Sequence, residues 1–189
     1  MSTVSRLAAI VFGVMMLALS FAVAAETILR KFFSYSLGGV DELGGYAVAI
    51  AAPLAFLVAA IDQAHIRINV LHARMPRRAR AVLNAVAMLS LALLALFLLY
   101  FTFRTVEDTL AYQSIAQTPW ATPLIVPQSV WLVAMAAFAI GMLVIAGSAV
   151  RLLLAGDWQG LDRRFGPGSA EEELEAELAD LKAREGAAR

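Results

Sequence analysis

The chain has 189 residues, of which 61% are hydrophobic and 16% charged, and its mean hydropathy is +0.75; a soluble domain is nearer half apolar and a quarter charged. Its fifteen basic and fifteen acidic residues cancel, so no overall positive field exists to draw it to nucleic acid. The absence of cysteine excludes thiolate catalysis, disulfides, iron–sulfur ligation and sulfur-liganded zinc.

Four apolar stretches set the fold class, because about 20 apolar residues suffice for a helix to cross a bilayer. We expect spans at about 7–29, 44–62, 81–103 and 126–154, giving an all-α membrane protein with a transmembrane domain over 1–155. Pro53 removes one backbone hydrogen bond from the second span and predicts a kink there. Arg6, the apolar run after it and Ala22-Val23-Ala24 have the outline of a secretory signal. The run continues through Ile28-Leu29, longer than a signal core, so the segment reads as a retained helix.

Glu26 is the acidic residue of the first span, and Arg30 lies four residues on, the spacing of an ion pair along one helix face. An intramembrane carboxylate is a functional candidate by default. The plainer reading is a structural pair near the end of the helix, facing a neighbouring helix or subunit. The sharper one is a proton-coupling acid in a self-sufficient four-helix exporter, although such chains are shorter and lack a charged tail.

Basic residues fix the orientation. Arg67, Arg74, Arg77, Arg78 and Arg80 crowd the second loop, and Arg151, Arg163 and Arg164 follow the fourth span, so the positive-inside rule predicts that this loop and both termini are cytoplasmic. Within the loop, Ile68, Leu71 and Met75 form an apolar stripe beside Arg67 and Arg74, as in a helix lying in the membrane interface; alternation from His65 to Val70 would equally suit a strand. Arg74, Arg77, Arg78 and Arg80 are candidates for lipid head-group contact. His65 and His72 would share a helix face as possible haem or metal ligands, but two histidines with no carboxylate between them make a thin ligand set. No metal site is therefore expected.

The loop before the fourth span holds Pro119, Pro123 and Pro127, which forbid a continuous helix. Trp120 and Trp131 nearby read as an interfacial aromatic belt. Gly141, Gly147, Ala137, Ala146 and Ser148 give the fourth span small faces for close packing. Beyond Gly166-Pro167-Gly168, Ser169 and Glu172 form a capping box, which predicts a charged cytoplasmic tail over 156–189 with a short helix at about 170–185.

No nucleophile and base can meet, since both histidines lie in one loop, and no phosphate-binding glycine motif appears. The spans carry little beyond Ser20, Asn84, Ser90 and Ser148, too few polar groups for an aqueous route or ion site in one copy. The residues thus read as a scaffold and not an enzyme.

Glu26-Thr27-Ile28-Leu29-Arg30-Lys31-Phe32, Asp41-Glu42-Leu43, His65-Ile66-Arg67-Ile68 with Leu71 and Pro76, and Thr122-Pro123-Leu124 with Val126-Pro127 occur in an order and spacing that resemble the small membrane subunit of tripartite ATP-independent periplasmic (TRAP) transporters, over roughly 7–154. The sequence departs from that family at Asn69, where many members carry an acid, and in its charged tail. The resemblance implies a bacterial inner-membrane scaffold that braces a large membrane subunit and helps dock a periplasmic substrate-binding protein. In such systems an organic acid is imported on a sodium gradient, with the sodium ions bound by the large subunit and no cofactor in this chain. It makes Glu26, Arg30, Asp41 and Glu42 candidates for outer-side contacts with either partner, and His65 and Arg67 for the inner side.

Overall fold

The structure is a computed structural model that describes residues 3–62, 75–166, 178 and 181. Among the described residues five helices follow in chain order: α1 (Thr3–Phe33), α2 (Val40–Ile61), α3 (Arg77–Tyr112), α4 (Ile125–Leu154) and α5 (Trp158–Phe165). The first four are long and apolar enough to cross a membrane, so the expected all-α membrane class holds. The expected interfacial segment around 65–74, including His65, Arg67, His72 and Arg74, lies outside the described residues, as does nearly all of the expected tail helix.

Each span is longer than its apolar stretch, for local reasons. The second starts at Val40 and not at Gly44, because Asp41 and Glu42 sit in its first turn, where the positive end of the helix dipole favours carboxylates. The third runs to Tyr112, since nothing between Arg104 and Tyr112 breaks a helix. It ends where Gln113 turns left-handed at φ 49° and the Ser114 amide bonds the Thr109 carbonyl at 3.2 Å. Pro53 lies inside α2, buried.

Contacts divide the chain into two compact units, residues 1–65 with 87–148 and residues 66–86 with 149–189. In the first unit the core is built from Ala60 of α2, Ala92 and Ala95 of α3, and Phe138, Ala139, Met142 and Ala146 of α4, flanked by Leu57, Leu91, Leu99 and Ile145. Small residues dominate because in lipid helices gain by close approach, apolar surface having no water to escape. Gly141 is required for the same reason: a β-carbon there would run into Leu57. Phe56 and Phe138 pack with ring centroids 6.0 Å apart. By contrast α1 packs on α2 and leaves Ile10, Leu17, Phe21, Ile28 and Phe32 widely exposed.

In the second unit the chain reverses after α4 through Gly156 at φ +69°. The Asp157 amide bonds the Leu152 carbonyl and the Gly156 amide the Leu153 carbonyl, both at 3.1 Å, the paired bonds of a Schellman stop. Asp157 then caps α5, accepting the Gly160 amide at 2.8 Å. The sequence pattern did not disclose α5. Leu161 and Phe165 are its buried positions, four apart and so on one face.

Candidate functional site

Polar chemistry in the first unit gathers where α1 ends, α2 begins and the α3–α4 connection turns. Oε1 of Glu26 accepts from Arg30 Nη2 at 2.7 Å, Arg30 Nε at 3.1 Å and the Ser36 hydroxyl at 2.6 Å. Oε2 accepts the Leu37 amide at 2.7 Å. Ser36 Oγ in turn accepts from the Gly38 amide at 3.1 Å. Both carboxylate oxygens are therefore engaged, one with a cation and a hydroxyl, the other with backbone. These bonds hold the 34–39 turn against α1.

That turn is gripped from its other side by Trp120. Its indole N–H donates to the Leu37 carbonyl at 2.8 Å. Its ring lies so close over Gly39 that a β-carbon there would overlap it, and Pro119 sits 3.3 Å from the corresponding position at Gly38. Gly38 also needs its φ of 75°, which a side chain disfavours. The connection bearing Trp120 is a tightly closed loop: the Ala116 amide bonds the Thr122 carbonyl at 2.9 Å, the Leu124 amide the Ser114 carbonyl at 3.1 Å and the Ala121 amide the Thr118 carbonyl at 2.9 Å.

Of the predicted contact residues, Glu26, Arg30 and Asp41 line one crevice with Val23, Thr27, Lys31 and Val40. Glu42 does not join them. It is buried, takes the Tyr46 hydroxyl on Oε2 at 2.8 Å, and its Oε1 has no hydrogen-bond partner among the described residues. Arg77 and Arg78 are exposed, whereas Arg80 turns inward to Asp162, 3.0 Å away. Ser36, Trp120 and Asp162 belong to these networks although nothing in the sequence pattern signals it; the partners of Trp120 and Asp162 lie far along the chain, and for Trp120 the partner is a backbone carbonyl.

Span hydroxyls close on their own helices. Ser20 donates to the Met16 carbonyl at 2.9 Å, Thr27 to Val23 at 2.8 Å, Thr102 to Leu98 at 2.8 Å and Ser148 to Ile145 at 2.7 Å. Backbone-satisfied hydroxyls present no row of ligands to a solute. Among the described residues no three histidines or acids converge as a metal site.

The four apolar helices accompany a match to the model of a known family. That family, described as tripartite ATP-independent periplasmic transporters, DctQ component, matches residues 19–154. The chain belongs to it. It is a TRAP small membrane subunit, a component of a transporter; no curated protein matches it. The match covers all four spans in part or whole, with the Glu26 knot and the Trp120 loop inside it.

Proposed function

We propose that this TRAP subunit is the non-catalytic scaffold of a secondary transporter in a bacterial inner membrane, with both termini cytoplasmic. It pairs with a large membrane subunit that carries an organic acid driven by sodium ions, and with a periplasmic binding protein that delivers the acid. The observation that supports this most is the saturation of Glu26: its oxygens are taken by Arg30, Ser36 and Leu37, which suits a fixed bracing element and not a coupling acid. The exposed apolar faces of α1 and α3 are then surface for lipid and for the large subunit. Arg30 and Asp41, exposed beside the Glu26 knot, are the outer contacts, with Glu42 supporting them from within. His65 and Arg67 are assigned to the inner side, and Arg74, Arg77 and Arg78 to lipid head groups.

The test is to purify the tagged chain in mild detergent from its own host and identify what accompanies it. A stoichiometric polytopic partner, together with sodium-dependent organic-acid uptake only when both are reconstituted with the binding protein, is the expected result. Transport by the chain alone, abolished by Glu26→Gln, would overturn the reading in favour of a self-sufficient exporter.

A further inference from the structure

The described residues of the second unit carry a charge imbalance that the transport reading does not use. Arg77 and Arg78 open α3, Arg163 and Arg164 close α5, and all four are exposed. None has an ion-pair partner among the described residues, and Asp162 is committed elsewhere. Its Oδ2 holds Arg80 at 3.0 Å and its Oδ1 accepts from Asn84 at 3.4 Å. Arg80 and Asn84 are one turn apart at the start of α3, so this one acid pins α5 to the first turns of a membrane span. The buried side chains of Leu161 and Phe165 hold the helix by its apolar face, and the Schellman stop at Gly156 fixes where it begins. Arg164 lies 5.6 Å from the Phe165 ring centroid.

A short helix held by its apolar face where a span enters the bilayer, bearing and flanked by guanidiniums that have no ion-pair partner among the described residues, is suited to phosphate groups at that depth. We infer that α5 and the first turn of α3 form a seat for an anionic phospholipid, with Arg163 and Arg164 from one side and Arg77 and Arg78 from the other, and with Asp162 as the residue that positions α5. The seat deepens the assignment of Arg77 and Arg78 to head groups and depends on membrane insertion but not on transport; failure of the uptake experiment leaves it standing.

General attraction of a basic surface to an anionic membrane makes a different prediction, and Asp162 separates the two. Removing a negative charge strengthens general attraction, but it dismantles a positioned seat. The full-length chain is placed in nanodiscs of phosphatidylcholine with a minority of phosphatidylglycerol, and the lipid retained after transfer to detergent is counted by native mass spectrometry. We expect wild type to retain phosphatidylglycerol preferentially. R163Q/R164Q should lower that preference about tenfold or more, given roughly fivefold per basic residue near an anionic surface. Asp162→Ala should lower it as well, while R6Q/K31Q, which loses the same charge elsewhere, should leave it unchanged.

An increase in Asp162→Ala, or equal losses in R163Q/R164Q and R6Q/K31Q, overturns the proposal. Thermal stabilisation by inorganic phosphate matching that by the lipid would assign the site to free phosphate and overturn it too. Unchanged melting of R163Q/R164Q in pure phosphatidylcholine is expected, and a lower melting point there would show that the arginines support the fold, against the proposal.

Discussion

The knot around Glu26 and the clasp around Asp162 both consist of an acid paired with an arginine, yet they are built in opposite ways. At Glu26 the acid is saturated and its arginine is a minor party: Arg30 is 65% exposed at the side chain and Glu26 11%, and hydroxyl and backbone donors complete the set. At Asp162 the acid is shared between Arg80 and Asn84, and the exposed Arg77, Arg78, Arg163 and Arg164 stand in the same unit. The first arrangement fixes a turn; the second fixes a helix in a unit whose exposed arginines have no ion-pair partner among the described residues. An ion pair therefore says little about purpose until the remaining donors and acceptors around it have been accounted for.

Substitutions can break or sharpen that contrast. The largest effect is expected from Trp120→Ala, which removes the packing over Gly39 and the bond to Leu37; a loss of about 2–3 kcal/mol, less than for a fully buried tryptophan, should appear in thermal unfolding in detergent. Gly39→Ala attacks the same contact from the other side and should cost about 1–3 kcal/mol by overpacking, read in the same assay. If Gly39→Ala melts like wild type, the Trp120 clamp is not what holds the turn. Glu26→Ala should melt below Arg30→Ala, because it strips the Leu37 amide and Ser36 of their acceptor while the arginine change leaves both bonds intact. The reverse order would make the Glu26 knot an ordinary ion pair after all. Asp162→Ala should cost about 1 kcal/mol, the upper end for a surface pair because Arg80 and Asp162 are only 26% and 23% exposed at the side chain, and show itself as faster proteolysis near α5 with little change in global melting. Smallest is Arg104→Ala: its pair with Glu107 is exposed on both sides, so a change of about 0.5 kcal/mol or less is expected, and a larger one would mean that this stretch of α3 meets a partner.

Apolar run length and breakers alone placed the four spans, and the i, i+4 spacing foretold the Glu26–Arg30 pair. What the sequence could not disclose depends on the backbone coming together: the Leu37 amide and carbonyl that link Glu26 to Trp120 have no side-chain signature, and Trp120 looks the same as any interfacial aromatic. Helix α5 carries no such signal because eight residues containing Gly160 and three charges make no run of apolar periodicity, and Arg80 and Asn84, the partners of its Asp162, lie far back along the chain. The early start of α2 was legible in principle, since Asp41 and Glu42 after Gly39 are the acids a helix favours in its first turn.

The loose packing of α1 has a consequence for how its angular setting is chosen. A greasy cylinder in oil can spin about its axis and slide along it at little cost, because every azimuth presents hydrocarbon to hydrocarbon. For α1, whose flanks are almost wholly exposed, one carboxylate bonded to a turn it does not share breaks that degeneracy. Glu26 acts as the key in a keyway, indexing which stripe of the helix meets α2 and which is left for whatever lies outside.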